Sequence, residues 1–160
     1  MKSGLIIISL FVYFSSTAQE LELENLIFNK TELPSNCKIK EVNITDRLPC
    51  EANSNPFISS SSEYLTCFVG QFIRDTLLIQ RVNRGLFSIY TDGAEIGIFA
   101  VKADSENTAK SIKENVELNS KNLDKSELFL SGRYFIWLWR DKGKSESFKE
   151  LKIMIEKRID

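Results

Sequence analysis

Two runs near the middle of the chain, LFSIYT and EIGIFAVK, are dominated by β-branched and aromatic residues. They flank Asp92-Gly93, the strongest short-range hairpin signal a sequence can carry. Strands are therefore predicted over 86–91 and 95–102. RYFIWLWR at 133–140 has the same character and follows a Ser131-Gly132 turn, so it reads as a further strand. Elsewhere the apolar period lengthens to that of a helix. Leu65, Phe68, Val69, Phe72 and Ile73 fall at i, i+3, i+4 spacing behind serine N-cap candidates, which predicts a helix over 61–74. Residues 76–82 fit either an extension of it or a strand. Ala109, Ile112 and Val116 share one face of a helix predicted over 105–119 and capped by Ser105. Phe148, Leu151, Ile155 and Ile159 share a face of a last helix opened by Ser145.

The first half is less regular. Ile39, Val42 and Ile44 predict a short strand over 39–44. Residues 46–60, with two prolines and several Ser and Asn, read as a loop. A loop of that length in a compact domain tends to be pinned or functional. The resulting order, βαββαβ followed by a helix, predicts an α+β domain with helices packed on a mostly antiparallel sheet. It is compatible with a ferredoxin-like split βαβ arrangement. The stretches 86–119 and 128–159 also repeat a strand, strand, helix pattern, a weak internal duplication.

The amino-terminal pattern is of another kind. Lys2 precedes an apolar run over 5–14, and Ser16 and Ala18 stand at the minus-three and minus-one positions before Gln19. This is the order of a secretory signal peptide over 1–18, with one domain over 19–160. The run is too short to span a bilayer, and no later stretch approaches membrane length. The expected product is an exported domain with no membrane span. Its Lys-, Asn-, Ile- and Ser-rich composition leans toward a periplasmic setting, extracellular release being the other destination. Asn29-Lys-Thr31 and Asn43-Ile-Thr45 match the glycosylation acceptor triplet, which matters only in a eukaryotic secretory pathway.

Composition narrows the chemistry. The chain of 160 residues carries a net charge of −1, which offers no electrostatic case for nucleic acid. It contains no histidine. That excludes a His-dependent triad, a His-containing zinc site and a His general base. GAEIG at 93–97 is a turn rather than a phosphate loop, and no cofactor or metal is expected. Three cysteines, Cys37, Cys50 and Cys67, in an exported chain predict one disulfide and one leftover thiol. Cys37–Cys50 is the preferred pair, since both lie in loop-like sequence beside Pro34 and Pro49. Cys67, with apolar neighbours, is then the buried free thiol.

The candidate working surface is the sheet. Period two sends Phe135, Trp137 and Trp139 to one side of 133–140, with Arg133, and Tyr134, Ile136 and Leu138 to the other. Phe99 joins the tryptophan side. A sheet apolar on both faces needs two covers. The two helices of the second half supply one; helix 61–74 and the amino-terminal segment must supply the other, or leave an aromatic face open. The candidate ligand-binding residues are Phe99, Arg133, Phe135, Trp137 and Trp139, the partner being a protein or a hydrophobic small molecule. The expected function is that of a non-enzymatic binding or inhibitory module, using that face or the 46–60 loop. The alternative is a small hydrolase working through carboxylates, drawn from Asp92, Glu95, Asp141 and Glu146.

Overall fold

Asp92 and Gly93 do form the predicted hairpin. Gly93 adopts φ +94°, a left-handed conformation that glycine takes without strain, and the Asp92 amide donates to the Ala94 carbonyl at 3.2 Å. The computed structural model describes residues 21–41, 54–120 and 123–160. Around the hairpin stand β1 (Lys38–Ile39), β2 (Phe57–Ser59), α1 (Ser62–Val69), α2 (Thr76–Ile79), β3 (Val82–Thr91) and β4 (Glu95–Ala103). They are followed by α3 (Glu106–Asn119), β5 (Ser126–Ser131), β6 (Tyr134–Arg140) and α4 (Glu146–Ile159). The fold is α+β, with one antiparallel sheet in the order β1-β3-β4-β6-β5 and β2 also paired to β3.

The ferredoxin-like strand order does not form. That order would insert the first strand between 95–102 and 133–140, but β4 pairs directly with β6 and β1 sits on β3. One split crossover is present: β4, α3 and β5 in succession, with β6 filling the space between β4 and β5. Among the described residues no strand follows α4 to make a second.

Both caps of the later helices are those the sequence predicts. The Ser105 hydroxyl accepts from the Thr108 amide and the Ser145 hydroxyl from the Phe148 amide, each at 3.2 Å. The helix expected over 61–74 stops earlier, at Val69. A turn takes over, with the Phe72 and Ile73 amides both donating to the Val69 carbonyl. Asp75 then caps α2, its carboxylate accepting from Leu77 and Leu78. An N-cap needs extended backbone at its own position, so Asp75 starts α2 as a separate helix rather than as an extension of α1. Of the strand expected over 39–44 only its first residues are described. The loop over 46–60 ends in β2 rather than in irregular chain, and its residues 46–53 lie outside the described residues. Asn55 replaces a strand residue there. Its side-chain amide donates to the carbonyls of Lys40 and Ile89 and accepts from the Ile89 amide, bridging β1 and β3 as a peptide group would.

The sheet is covered on both faces, and not as the sequence divides the work. Leu86, Ile96, Ile98, Ile136 and Leu138 pack under α4 (Phe148, Leu151, Ile155) and the amino-terminal segment Leu21–Phe28. Phe87, Phe99, Val101 and Phe135 pack under α1 (Leu65, Phe68, Val69) and α3 (Ala109, Ile112, Val116). The two helices of the second half thus straddle the sheet instead of sharing a side. Arg158 and Arg84 hold the amino-terminal segment in place. Arg158 donates to the carbonyls of Asn25 and Ile27, pairs with Glu32 and lies 4.2 Å from the Phe28 ring centre. Arg84 pairs with Glu24 and Glu22.

The disulfide expectation is corrected. Cys37 is a free thiol buried against the α4-side core. Burial, with the nearby Asp92 charge, pushes it up to about 11. Cys67 on α1 is the bonded cysteine, and its partner lies outside the described residues. Apolar neighbours made Cys67 look like a buried thiol, but α1 is short, and one side of it faces away from the sheet.

Candidate functional site

Cross-strand register builds the aromatic face in rows. Phe87, Phe99, Trp137 and Leu128 form one row; Ile89, Gly97, Trp139 and Ser126 form the next. Phe72, from the turn after α1, drops onto the junction of the two. Its ring stacks on Phe99 at 4.4 Å and 21° and meets Trp137 edge-on at 6.0 Å. It also lies 5.8 Å from Trp139. The two indoles are 5.7 Å apart. Aromatic packing of this kind contributes beyond area burial, through offset and edge-to-face geometry.

The cover is incomplete at the Trp139 end. A cavity of about 390 Å³ opens there between the 70–74 turn, the carboxy-terminal end of α3 and the start of β5. Phe72, Trp137 and Trp139 form its apolar wall, and Arg74, Lys125 and Asp141 are the charged groups of its rim with Arg140. Trp137 is partly exposed, yet its Nε1 is shielded and has no hydrogen-bond partner among the described residues. What Trp137 presents is therefore ring carbon. The size and the mixed lining are those of a small-molecule pocket.

Arg140 is already committed. Its Nε and Nη2 donate to Asp92 at 3.0 and 2.8 Å, and its Nη1 donates to the Lys142 and Gly143 carbonyls at 2.8 Å. The Ser145 hydroxyl donates to the other Asp92 oxygen. The pair is nearly dry, with 11% and 4% of the two side chains exposed. Burial would raise the Asp92 carboxyl, but the Arg140 guanidinium and the Ser145 hydroxyl outweigh it and hold the group low. Arg74 and Lys125 remain on the rim without an ion pair among the described residues; Lys125 Nζ reaches only the Asp141 carbonyl, at 3.5 Å.

Of the residues singled out from sequence, the cavity brings together Trp137 and Trp139. Phe99 and Phe135 are fully buried core beneath α1 and α3, with no surface to offer. Arg133 precedes β6 at the opposite end and does not line the cavity. Phe72, Arg74 and Lys125 were missed. Phe72 carried a signal, its place on the apolar face of the helix predicted over 61–74; the two cations carried none.

The carboxylates weighed for hydrolysis are dispersed. Asp92 is locked to Arg140, Glu95 pairs with Lys40 at 2.7 Å and Glu146 pairs with Lys149 on the surface. Only Asp141 lines the cavity. Among the described residues, the carboxyls displaced from their ordinary range, Glu24, Asp92, Asp104 and Glu127, all move down beside cationic partners, Asp104 to about 2 next to Arg81. A general acid needs the opposite shift. Among the described residues no cluster of three His, Cys, Asp or Glu could hold a metal, and no helix is long and apolar enough to cross a membrane. Compared with protein-family models, curated proteins and solved structures, the chain matches none of them.

Proposed function

We propose that this domain is a small-ligand binding module that acts after export, from Gln19 onward, through the cavity walled by Phe72, Trp137 and Trp139. The observation that carries the reading is where the aromatic layer stops. Three rings meet a partly open space of small-molecule size, while the rest of both sheet faces is closed by helices and the amino-terminal segment. Binding there needs no group beyond those the cavity holds.

The chain has two tryptophans, and both line this wall. The two indole N–H signals of the ¹⁵N-labelled mature protein therefore report on the cavity alone. Titration with 2-phenylethanol, a neutral probe with an apolar ring, should move both signals saturably. Ser120→Phe, which fills the rim, should abolish the movement while leaving the remaining spectrum folded. Static indole signals in the wild type would overturn the reading.

A further inference from the structure

We infer that the ligand is an amphipathic organic acid, a flat apolar body bearing one carboxylate, with the body against Phe72 and the indoles and the head at Arg74 and Lys125. The inference rests on the cavity being a ligand site and goes further by fixing the charge of what it takes. The chain as a whole is slightly acidic, at −1. The cavity rim reverses that sign. Of its three cations among the described residues, Arg140 is neutralised by Asp92, which leaves Arg74 and Lys125 facing Asp141 as the one described carboxylate of the lining.

The remaining chemistry points the same way. Asp92 and the Lys142 and Gly143 carbonyls hold Arg140 so completely that it cannot turn toward a ligand, so recognition of an anion falls to the exposed Arg74 and the half-buried Lys125. Trp137 turns its nitrogen inward and its carbon outward, so the wall offers the ligand body an apolar surface rather than a donor. An apolar wall beside a cationic rim is complementary to a molecule with a hydrophobic body and an anionic head. A neutral sugar could use the uncharged polar lining of Gln71, Asn119, Ser120 and Ser126, but would leave both cations unused.

The test compares phenylacetate with 2-phenylethanol and methyl glucoside on the same indole signals. Phenylacetate should bind about fivefold tighter than the alcohol at low salt, the gain expected of two solvent-screened charge contacts at the rim. High salt should erase that preference. Arg74→Gln combined with Lys125→Gln should bring acid and alcohol to parity. Equal binding of acid and alcohol by the wild type would overturn the charge assignment and leave the cavity reading standing. Tighter binding of the glucoside, or an acid preference that survives both substitutions, would do the same. Failure of every probe to move either signal would instead remove the cavity reading itself.

Discussion

The indole of Trp139 lies flat over Gly97, its cross-strand partner on β4, so closely that a Cβ on Gly97 would fall 1.9 Å from Trp139 Cζ2. Glycine is needed there because the ring occupies the space a side chain would take. Gly97→Ala should therefore lift the indole and cost about 1–3 kcal/mol by overpacking. Trp139→Ala, which strips a partly buried ring from Phe72, Phe87 and Trp137, should cost about 3 kcal/mol. In the Trp139→Ala background the glycine substitution should cost little. Urea denaturation of the two single variants and the double variant measures that coupling; additive losses would contradict the packing described.

The Asp92–Arg140 pair links the β3–β4 turn to the end of β6 and, through Ser145, to the start of α4. The Asp92 carboxyl is held below its ordinary 3.8, so the stability it contributes is present above that value. It is lost as pH falls below 3.8 and through the folded-state value. Asp92→Asn should destabilise by about 3 kcal/mol at neutral pH, because it leaves Arg140 buried without its charge partner. The gap between variant and wild type should close below about pH 4. Denaturation midpoints across an acid series check both the size and the sign.

Two buried tyrosines should respond oppositely to loss of their hydroxyls. Tyr90 Oη accepts from the Phe28 amide at 3.0 Å and from the Ser88 hydroxyl at 3.3 Å. Tyr90→Phe orphans the buried amide that fastens the amino-terminal segment, and should cost about 1–3 kcal/mol. Tyr134 Oη is buried with no hydrogen-bond partner among the described residues. Tyr134→Phe removes a desolvated group that gains nothing, so thermal unfolding should be unchanged or move upward. A clear loss at Tyr134 would reveal a partner for its hydroxyl.

Thiol chemistry should separate the cysteines. Cys37, buried and pushed up to about 11, should resist alkylation in the native protein and react once it is unfolded. Non-reducing peptide mapping should find Cys67 cross-linked, with Cys50 the expected partner since Cys37 is free. Cys67→Ala should lower stability by about 2–4 kcal/mol.

The sequence by itself determined what is local. Asp92-Gly93 placed the hairpin, because few residue pairs suit that turn. Ser105 and Ser145 placed two helix starts, because a hydroxyl next to free backbone amides satisfies them at once. Alternation along β6 fixed Trp137 and Trp139 on one side with Phe99 and Phe135, since a strand has only two sides. Tertiary structure decided what depends on residues far apart in the chain. Whether an aromatic on that face is core or wall follows from where α1 and α3 end above it. Phe99 and Phe135 lie beneath the helices, and Trp139 lies beyond them. Strand order, the split of α3 and α4 between the two faces, and the free state of Cys37 were equally out of reach, since each depends on long-range pairing. The same holds for the cavity rim. Arg74 and Lys125 look like ordinary surface residues along the chain, and only the fold brings them to one opening while Asp92 withdraws Arg140 from it.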